Sequence, residues 1–300
     1  MDTTCPRCQY IRIPSDKGPS WQCPNCGAAY NKAHQPETLT SGTEVSDKFR
    51  QKEQEYRPLN KKLYLGILLS ACLLGYSSSR KNALEDVGYM LPQLEQSPIQ
   101  TNHTKPQDFS FEYMDIQYNV KTVADYELWG LVVSHNNIDG ISDIYHDETS
   151  VDTKDLCVIW GDNLFKGDYQ TTNYSSGAWT CYFQYEYGAV FFPDKLSNNH
   201  IITDDDALRE TLENVQIGDQ IHLTGTLVNY QDERHPEFWR TSSTTRSDAG
   251  NHACEVIFTR ELSILREGSP QWRMLYGIAW KLLFVFIIAK TVVFFKEIFA

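Results

Sequence analysis

The sequence predicts a mainly β domain of five strands and one helix, set between two apolar helical runs and preceded by a small four-cysteine module. Three observations carry this reading. Leu63–Tyr76 (LYLGILLSACLLGY) is free of charge, and Met274–Phe295 carries only Lys281 and Lys290. Between the runs, short segments rich in β-branched and aromatic residues alternate with polar ones, the pattern of half-buried strands.

The N-terminal module comes first in the chain. Cys5-Pro-Arg-Cys8 and Cys23-Pro-Asn-Cys26-Gly27 are two CxxC pairs separated by fourteen residues. Zinc prefers four tetrahedral thiolates, and each CxxC turn delivers two sulfurs from one tight loop. Gly27 supplies the left-handed backbone such a turn needs. Cys5, Cys8, Cys23 and Cys26 are therefore the expected ligands of one structural zinc. Residues 1–30 are too few to bury a core, so the metal is expected to provide most of the folding free energy. Cys5–Tyr30 resembles the zinc-ribbon family, with the four cysteines at that family's ligand positions. Arg7, Arg12, Lys17 and Lys32 make the module mildly basic, too weakly to favour nucleic acid, and a protein partner is expected there. Residues 31–60 are polar, with few large apolar residues, and read as a disordered tether.

Residues 61–79 are the first expected transmembrane helix. Seventeen residues from Leu63 rise roughly 25 Å against a bilayer core of about 30 Å. The shortfall can be met by thinning and by snorkelling of Lys61, Lys62 and Arg80. Lys48, Arg50, Lys52, Arg57, Lys61 and Lys62 precede the run, whereas only Arg80 and Lys81 follow closely. This bias places the N-terminus in the cytoplasm and the large domain outside. Residues 272–297 are the second expected span, with Trp272, Tyr276 and Trp280 as an aromatic belt. Lys281 and Lys290 would reach towards opposite surfaces or meet an acidic partner within the membrane. Membrane lipid is thus an expected partner.

Charge and cysteine usage agree with this division. The net charge is −12, and between Ser77 and Gln271 there are 31 acidic against 13 basic residues. Such a domain repels phosphate backbones, which argues against nucleic-acid binding by it. Of eight cysteines, four lie in the N-terminal module, Cys72 in the first run, and Cys157, Cys181 and Cys254 in the large domain. Zinc thiolates suit a reducing cytoplasm, and a disulfide suits the exterior.

Residues 80–117, punctuated by Pro92, Pro98 and Pro106, read as a linker with weak local structure. From 118 to 266 the expected strands are Tyr126–Ser134, Leu156–Gly161, Trp179–Tyr187, Gln220–Tyr230 and Glu255–Leu265. In the third, Trp179, Cys181 and Phe183 share the inward face. In the fourth, Ile221, Leu223, Gly225 and Leu227 point inward, while His222 points to solvent. The one helix is capped by Thr203 or Asp204 and buries Leu208, Leu212 and Val215. Capping also accounts for the triplet Asp204–Asp206 better than a metal does.

Three strands, a helix and two strands is the order of the OB-fold barrel. Gly218-Asp219 with Gly225-Thr226-Leu227 resembles the GD…G.L signature of that fold's fourth strand. The likeness covers about Val120–Leu265 and implies a five-stranded closed barrel. Through SSGAWTC, LSNNH and TTRSDAGNHACE the chain also resembles a group of bacterial membrane-anchored proteins, a likeness that implies no activity.

In OB-folds the loops after the first and fourth strands frame the binding face. Here they carry His135, Asp139, His146 and Asp147, then His235, Trp239, Arg240, Arg246, Asp248 and His252. Asn199, His200, Arg246, Asp248 and His252 form the expected binding face. The expected function is binding or assembly outside the membrane. One alternative is an envelope hydrolase working through His200, Arg246, Asp248 or His252; a second places both domains in the cytoplasm with the ribbon on nucleic acid. Convergence of those four side chains in one concave pocket would favour the hydrolase. No nucleophile elbow, HExxH, Walker loop or GxGxxG occurs. The OB order makes the third and fifth strands parallel neighbours, so a Cys181–Cys254 disulfide is expected, leaving Cys157 a buried free thiol.

Overall fold

The computed structural model describes residues 3–30, 40–138, 150–245, 248 and 253–299, with the backbone alone for 40–49. It separates into two compact units, Met1–Leu68 with Phe284–Ala300, and Leu69–Leu283. Two long helices contribute to both: α1 (Thr40–Arg80) and α4 (Pro270–Phe299).

In the first unit the cysteine module folds as two matched turns, closed by the bridges Thr4↔Ile11 and Gln22↔Ala29. The N–H of Gln9 donates to Cys5 and that of Gly27 to Cys23, both residues holding positive φ (58° and 73°). The same unit packs the apolar half of α1 on α4. A Cβ on Gly66 would lie 2.7 Å from the Phe286 ring, so glycine is what allows the helices to meet. Asn60 Nδ2 donates to Glu297 Oε1 at 2.6 Å, and Lys290 lies over the Tyr64 ring.

In the second unit Tyr76 meets Trp272 edge-on, with ring centroids 5.3 Å apart, and Lys81 sits over Tyr276. Of the two helices expected to span, one has the length and apolar character to do so. Among the described residues only α4 is long and apolar enough to cross a membrane. The apolar run of α1 is hemmed in by Lys61–Lys62 and Ser77–Arg80, which leaves too short a stretch of strongly apolar residues.

The rest of the second unit is a mixed sheet with a small ribbon beside it. The sheet contains β1 (Ile99–Asn102), β2 (Asp108–Tyr113), β3 (Ile116–Asn137), β4 (Asp152–Ile159), β7 (Leu196–Ile202), β8 (Gln220–Asp232) and β9 (Glu255–Arg266). The short helix α2 (Asp162–Phe165) follows β4, and α3 (Asp206–Asn214) joins β7 to β8. Strand β3 is the spine: it pairs antiparallel with β1, β2, β4 and β8, with bulges at Thr122/Ala124 and Val132/Ser134. Strand β4 continues to β7, β7 pairs parallel with β9, and β9 pairs antiparallel with β8. Alternation along β8 buries Ile221, Leu223 and Leu227 against Leu208, Leu212 and Val215 of the α3 segment, as the sequence predicts. Gly225 sits at a β8 bulge where a Cβ would come within 2.5 Å of the Phe258 carbonyl oxygen of β9. The cap of α3 is Asp205, whose Oδ1 accepts from the N–H groups of Ala207 and Leu208; Thr203 and Asp204 are not the capping residues.

Three expectations are corrected here. The supposed linker 80–117 holds β1, β2 and two 3-10 turns, the second of which buries Leu94; Pro92 starts that turn, and Pro98 and Pro106 lie before β1 and β2 and not within them. The aromatic segment Trp179–Tyr187 is not a strand of the main sheet. Only Cys181–Gln184 (β6) is extended, paired with β5 (Asn173–Ser176) in a two-stranded ribbon, with Tyr182 and Phe183 exposed. Its place in the sheet is taken by β7, whose Asn198-Asn199-His200 looks like a loop in sequence.

The third correction concerns the cysteines. Cys157 and Cys181 stand at disulfide distance with Cα atoms 5.8 Å apart, and Cys254 is free. Along β4, Leu156, Val158 and Trp160 face one core while Cys157 and Ile159 face the other. The ribbon lies over that second face, where Ser134 Oγ and Ser176 Oγ are 2.7 Å apart, and this brings Cys181 to Cys157. Cys181 is therefore not bonded to Cys254, and Cys157 is not a free thiol.

Candidate functional site

The four N-terminal cysteines form the one group of metal-ligating side chains of its kind among the described residues. Their Sγ atoms all lie within 4.8 Å of one another. Cys5 and Cys26 are 3.7 Å apart at sulfur, as are Cys8 and Cys23. Sulfurs held tetrahedrally about 2.3 Å from one ion would be separated by about 3.8 Å. The residues therefore fit a single metal ion. The N–H of Tyr10 draws the Cys8 thiol down to about 6. At Cys26 the N–H of Ala28 is outweighed by the Cys8 sulfur and burial, which push that thiol up, as expected of four thiols crowded together without a shared cation. Arg12 clamps the module by donating to the carbonyls of Pro19, Gln22 and Gly18.

The expected binding face does not assemble as one open site. Asn199 and His200 lie inside the sheet on β7, essentially without exposure. Asn199 Nδ2 donates to the Leu156 carbonyl at 3.0 Å and to Ser197 Oγ at 2.9 Å. His200 stands directly opposite Asp155 of β4, with Nδ1 2.6 Å from Asp155 Oδ1. Its Nε2 is 3.2 Å from Asn198 Nδ2, and that amide also lies 3.5 Å from Cys254 Sγ. The partner types assign the tautomer: Nδ1–H donates to Asp155 and Nε2 accepts from Asn198. The basic lone pair of His200 is thus occupied. Burial pushes the Cys254 thiol up, so it is held as a thiol. Asp248 accepts from Ser243 Oγ at 2.5 Å, and Ser243 N–H donates to the Cys254 carbonyl. Arg246 and His252, together with Asp139, His146 and Asp147, lie outside the described residues.

Around this chain lie charges that the sequence reading did not gather. Tyr230 donates to Asp152 Oδ2 at 2.9 Å, and burial followed by that carboxylate pushes its phenol well up. Burial opposes the charge on Arg240, but Asp152, Tyr230 and Asp155 outweigh it, and the guanidinium stacks over Trp179. His222 pairs with Glu127 at 2.8 Å and stacks on Trp129 at 4.5 Å, so it is half-buried and partnered, not freely solvated. The arrangement is a buried polar network that ties β4, β7 and the segment before β9 together, with the amide oxygens of Asn198 and Asn199 left without a hydrogen-bond partner among the described residues.

No protein family, no curated protein and no solved structure matches this chain. The likenesses to a bacterial membrane-anchored group, to the zinc ribbon and to the OB-fold therefore gain no family support.

Proposed function

We propose that this is a membrane-anchored binding or assembly protein, with a zinc ribbon on the cytoplasmic side and an OB-like domain outside. The observation that carries the reading is the pairing of α1 with α4. Away from that seam, Leu65, Leu68 and Leu69 of α1 are exposed, as are Phe284, Val285 and Ile288 of α4. A soluble helix pair would keep these faces polar. In the proposed arrangement α4 spans, and the short apolar half of α1 is its second arm, accommodated by local thinning.

Several findings support the finer parts. Sulfur separations of 3.7 Å suit zinc, whose structural sites are tetrahedral and rich in cysteine. The pairings β3–β4–β7–β9–β8–β3, with β7 parallel to β9 and α3 between β7 and β8, follow the OB order. The Cys157–Cys181 pair suits an oxidising exterior, whereas a four-thiolate centre suits the cytoplasm. His200 in a hydrolase would need an open pocket and an available base nitrogen; its burial and its bond with Asn198 favour binding over that alternative. Protein partners are proposed for the ribbon and for the exterior domain, and membrane lipid for the helices.

Sidedness is tested with an impermeant maleimide on intact cells whose outer barrier is opened, in a Cys72→Ser background. Tyr187→Cys, in the exposed aromatic ribbon, should label, and Lys17→Cys should label only after lysis. The reverse pattern would place both domains in the cytoplasm.

A further inference from the structure

At the membrane end of the second unit, where α1 ends and α4 begins, lies a cavity of about 500 Å³. Its walls carry Lys81, His135, Lys154, Arg273, Tyr276 and Glu213. Lys154 is 2% exposed, and its Nζ donates to the carbonyls of Glu213 (2.9 Å) and Val215 (2.7 Å) at the end of α3. An ammonium has three donors, so one N–H remains without a partner among the described residues. Arg273 spends its two Nη groups on Asp219 and the Ile217 carbonyl, while its buried Nε has no partner. The buried Nδ1 of His135 has none either. Buried nitrogens left unpaired are rare and costly, and the two side chains that carry them line one cavity with Lys154.

We propose that this cavity binds a phosphoryl anion, presented by an anionic lipid headgroup or as free phosphate. Three cationic or convertible donors from β3, β4 and α4 match a ligand that offers acceptors in several directions. Lys81, held over the Tyr276 ring at 4.1 Å, supplies a fourth at the rim. The Glu213 carboxylate on the lining and Asp219 behind Arg273 temper the positive potential without cancelling it: three cations face two carboxylates. Burial, then the charges of Lys154 and Lys81, hold His135 down to about 4, so both ammonium groups act on the space the anion would fill. The position at the ends of α1 and α4 favours a headgroup. That source rests on the membrane reading above.

The test uses the full chain in nanodiscs, with vesicle flotation run beside it. Phosphatidylglycerol in phosphatidylcholine should bind in preference to phosphatidylcholine alone. Lys81→Gln, at a rim position that leaves the core intact, should weaken this about tenfold, as expected for loss of one charged hydrogen bond. Lys154→Met should abolish it. If lipid shows no preference but inorganic phosphate binds and is lost in Lys81→Gln, the site stands with free phosphate as its ligand. If neither probe binds while the protein floats with vesicles, the cavity proposal is overturned and the membrane reading survives. If the protein does not float, the membrane reading fails, and the phosphate arm alone decides the cavity.

Discussion

Asp219 and Arg273 form an ion pair of 2.6 Å between the turn that enters β8 and the first turn of α4, and the carboxylate is completely buried. Asp219 Oδ1 also accepts from Gly268 N–H at 3.0 Å, and Oδ2 from Gln216 N–H at 2.8 Å. Here Gly218, at φ 94°, and Gly268 approach so closely that a Cβ on Gly268 would lie 2.5 Å from Gly218 carbonyl atoms. One carboxylate therefore joins the sheet to the base of the C-terminal helix. Asp219→Asn keeps the shape but leaves a largely buried guanidinium without its counter-charge. The expected cost is about 3 kcal/mol, at the low end for a broken buried pair. For a domain of this size that is a fall in Tm of roughly 6–10 °C. A fall under about 2 °C in a detergent melt would show that the pair is not a main tie.

The disulfide prediction is analytical. Non-reducing peptide mapping of protein from its native host should find Cys157 linked to Cys181, with Cys254 alkylated only after unfolding. Cys181→Ser should cost about 3 kcal/mol, since the bond closes a sequence separation of 24 residues. Recovery of a Cys181–Cys254 peptide would contradict the ribbon's placement against β4.

For the metal centre, purified full-length protein should contain close to one zinc per chain by elemental analysis. Cys23→Ser should lose it, because three thiolates leave the coordination open. Chelation should unfold the N-terminal module while the sheet domain retains its melting transition. Zinc content near zero in freshly prepared protein would defeat the assignment.

Acid stability should depend on His135. Burial and the facing charges of Lys154 and Lys81 hold its folded value near about 4, below the unperturbed value of about 6.5. Between those values the unfolded chain takes the proton and the folded chain does not. The contribution is therefore complete above about pH 6.5 and is lost as pH falls towards 4. His135→Asn should make the fall in Tm between pH 7 and pH 4.5 shallower than in the parent protein. Equal falls in both would remove His135 as a cause.

What the sequence disclosed depended on whether an element's partners are local. Strand β8 and its faces were legible because Ile221, Leu223, Gly225 and Leu227 alternate strictly, and α3 because Leu208, Leu212 and Val215 fall on one stripe. The cysteine quartet was legible because each pair sits within one turn. Strand β7 was hidden because Asn198, Asn199 and His200 read as loop residues. Asn199 donates to the Leu156 carbonyl and His200 pairs with Asp155, partners more than forty positions away, which no window shows. The aromatic segment around Cys181 has the stronger strand composition and took β7's place in the reading. Lys154 and Arg273 of the cavity were missed for the same reason. Lys154 looks like a surface lysine until the end of α3 is placed over it, and Arg273 until Asp219 is.

The wide separation of α1 and α4 along the chain sets an order of assembly. Tyr76 and Trp272 meet, yet they stand 196 positions apart, and β3 finds β8 only after about a hundred residues have been made. At roughly 5–20 residues per second, synthesis of the intervening chain takes about 10–40 seconds. Throughout that interval α1 has no helical mate, and Gly66, which later receives the Phe286 ring, has nothing to close against. On the membrane reading proposed above, a nascent chain arrested before Trp272 should therefore extract from membranes more readily than the finished protein, because the apolar stretch it then carries, Leu63–Tyr76, is shorter than that of α4.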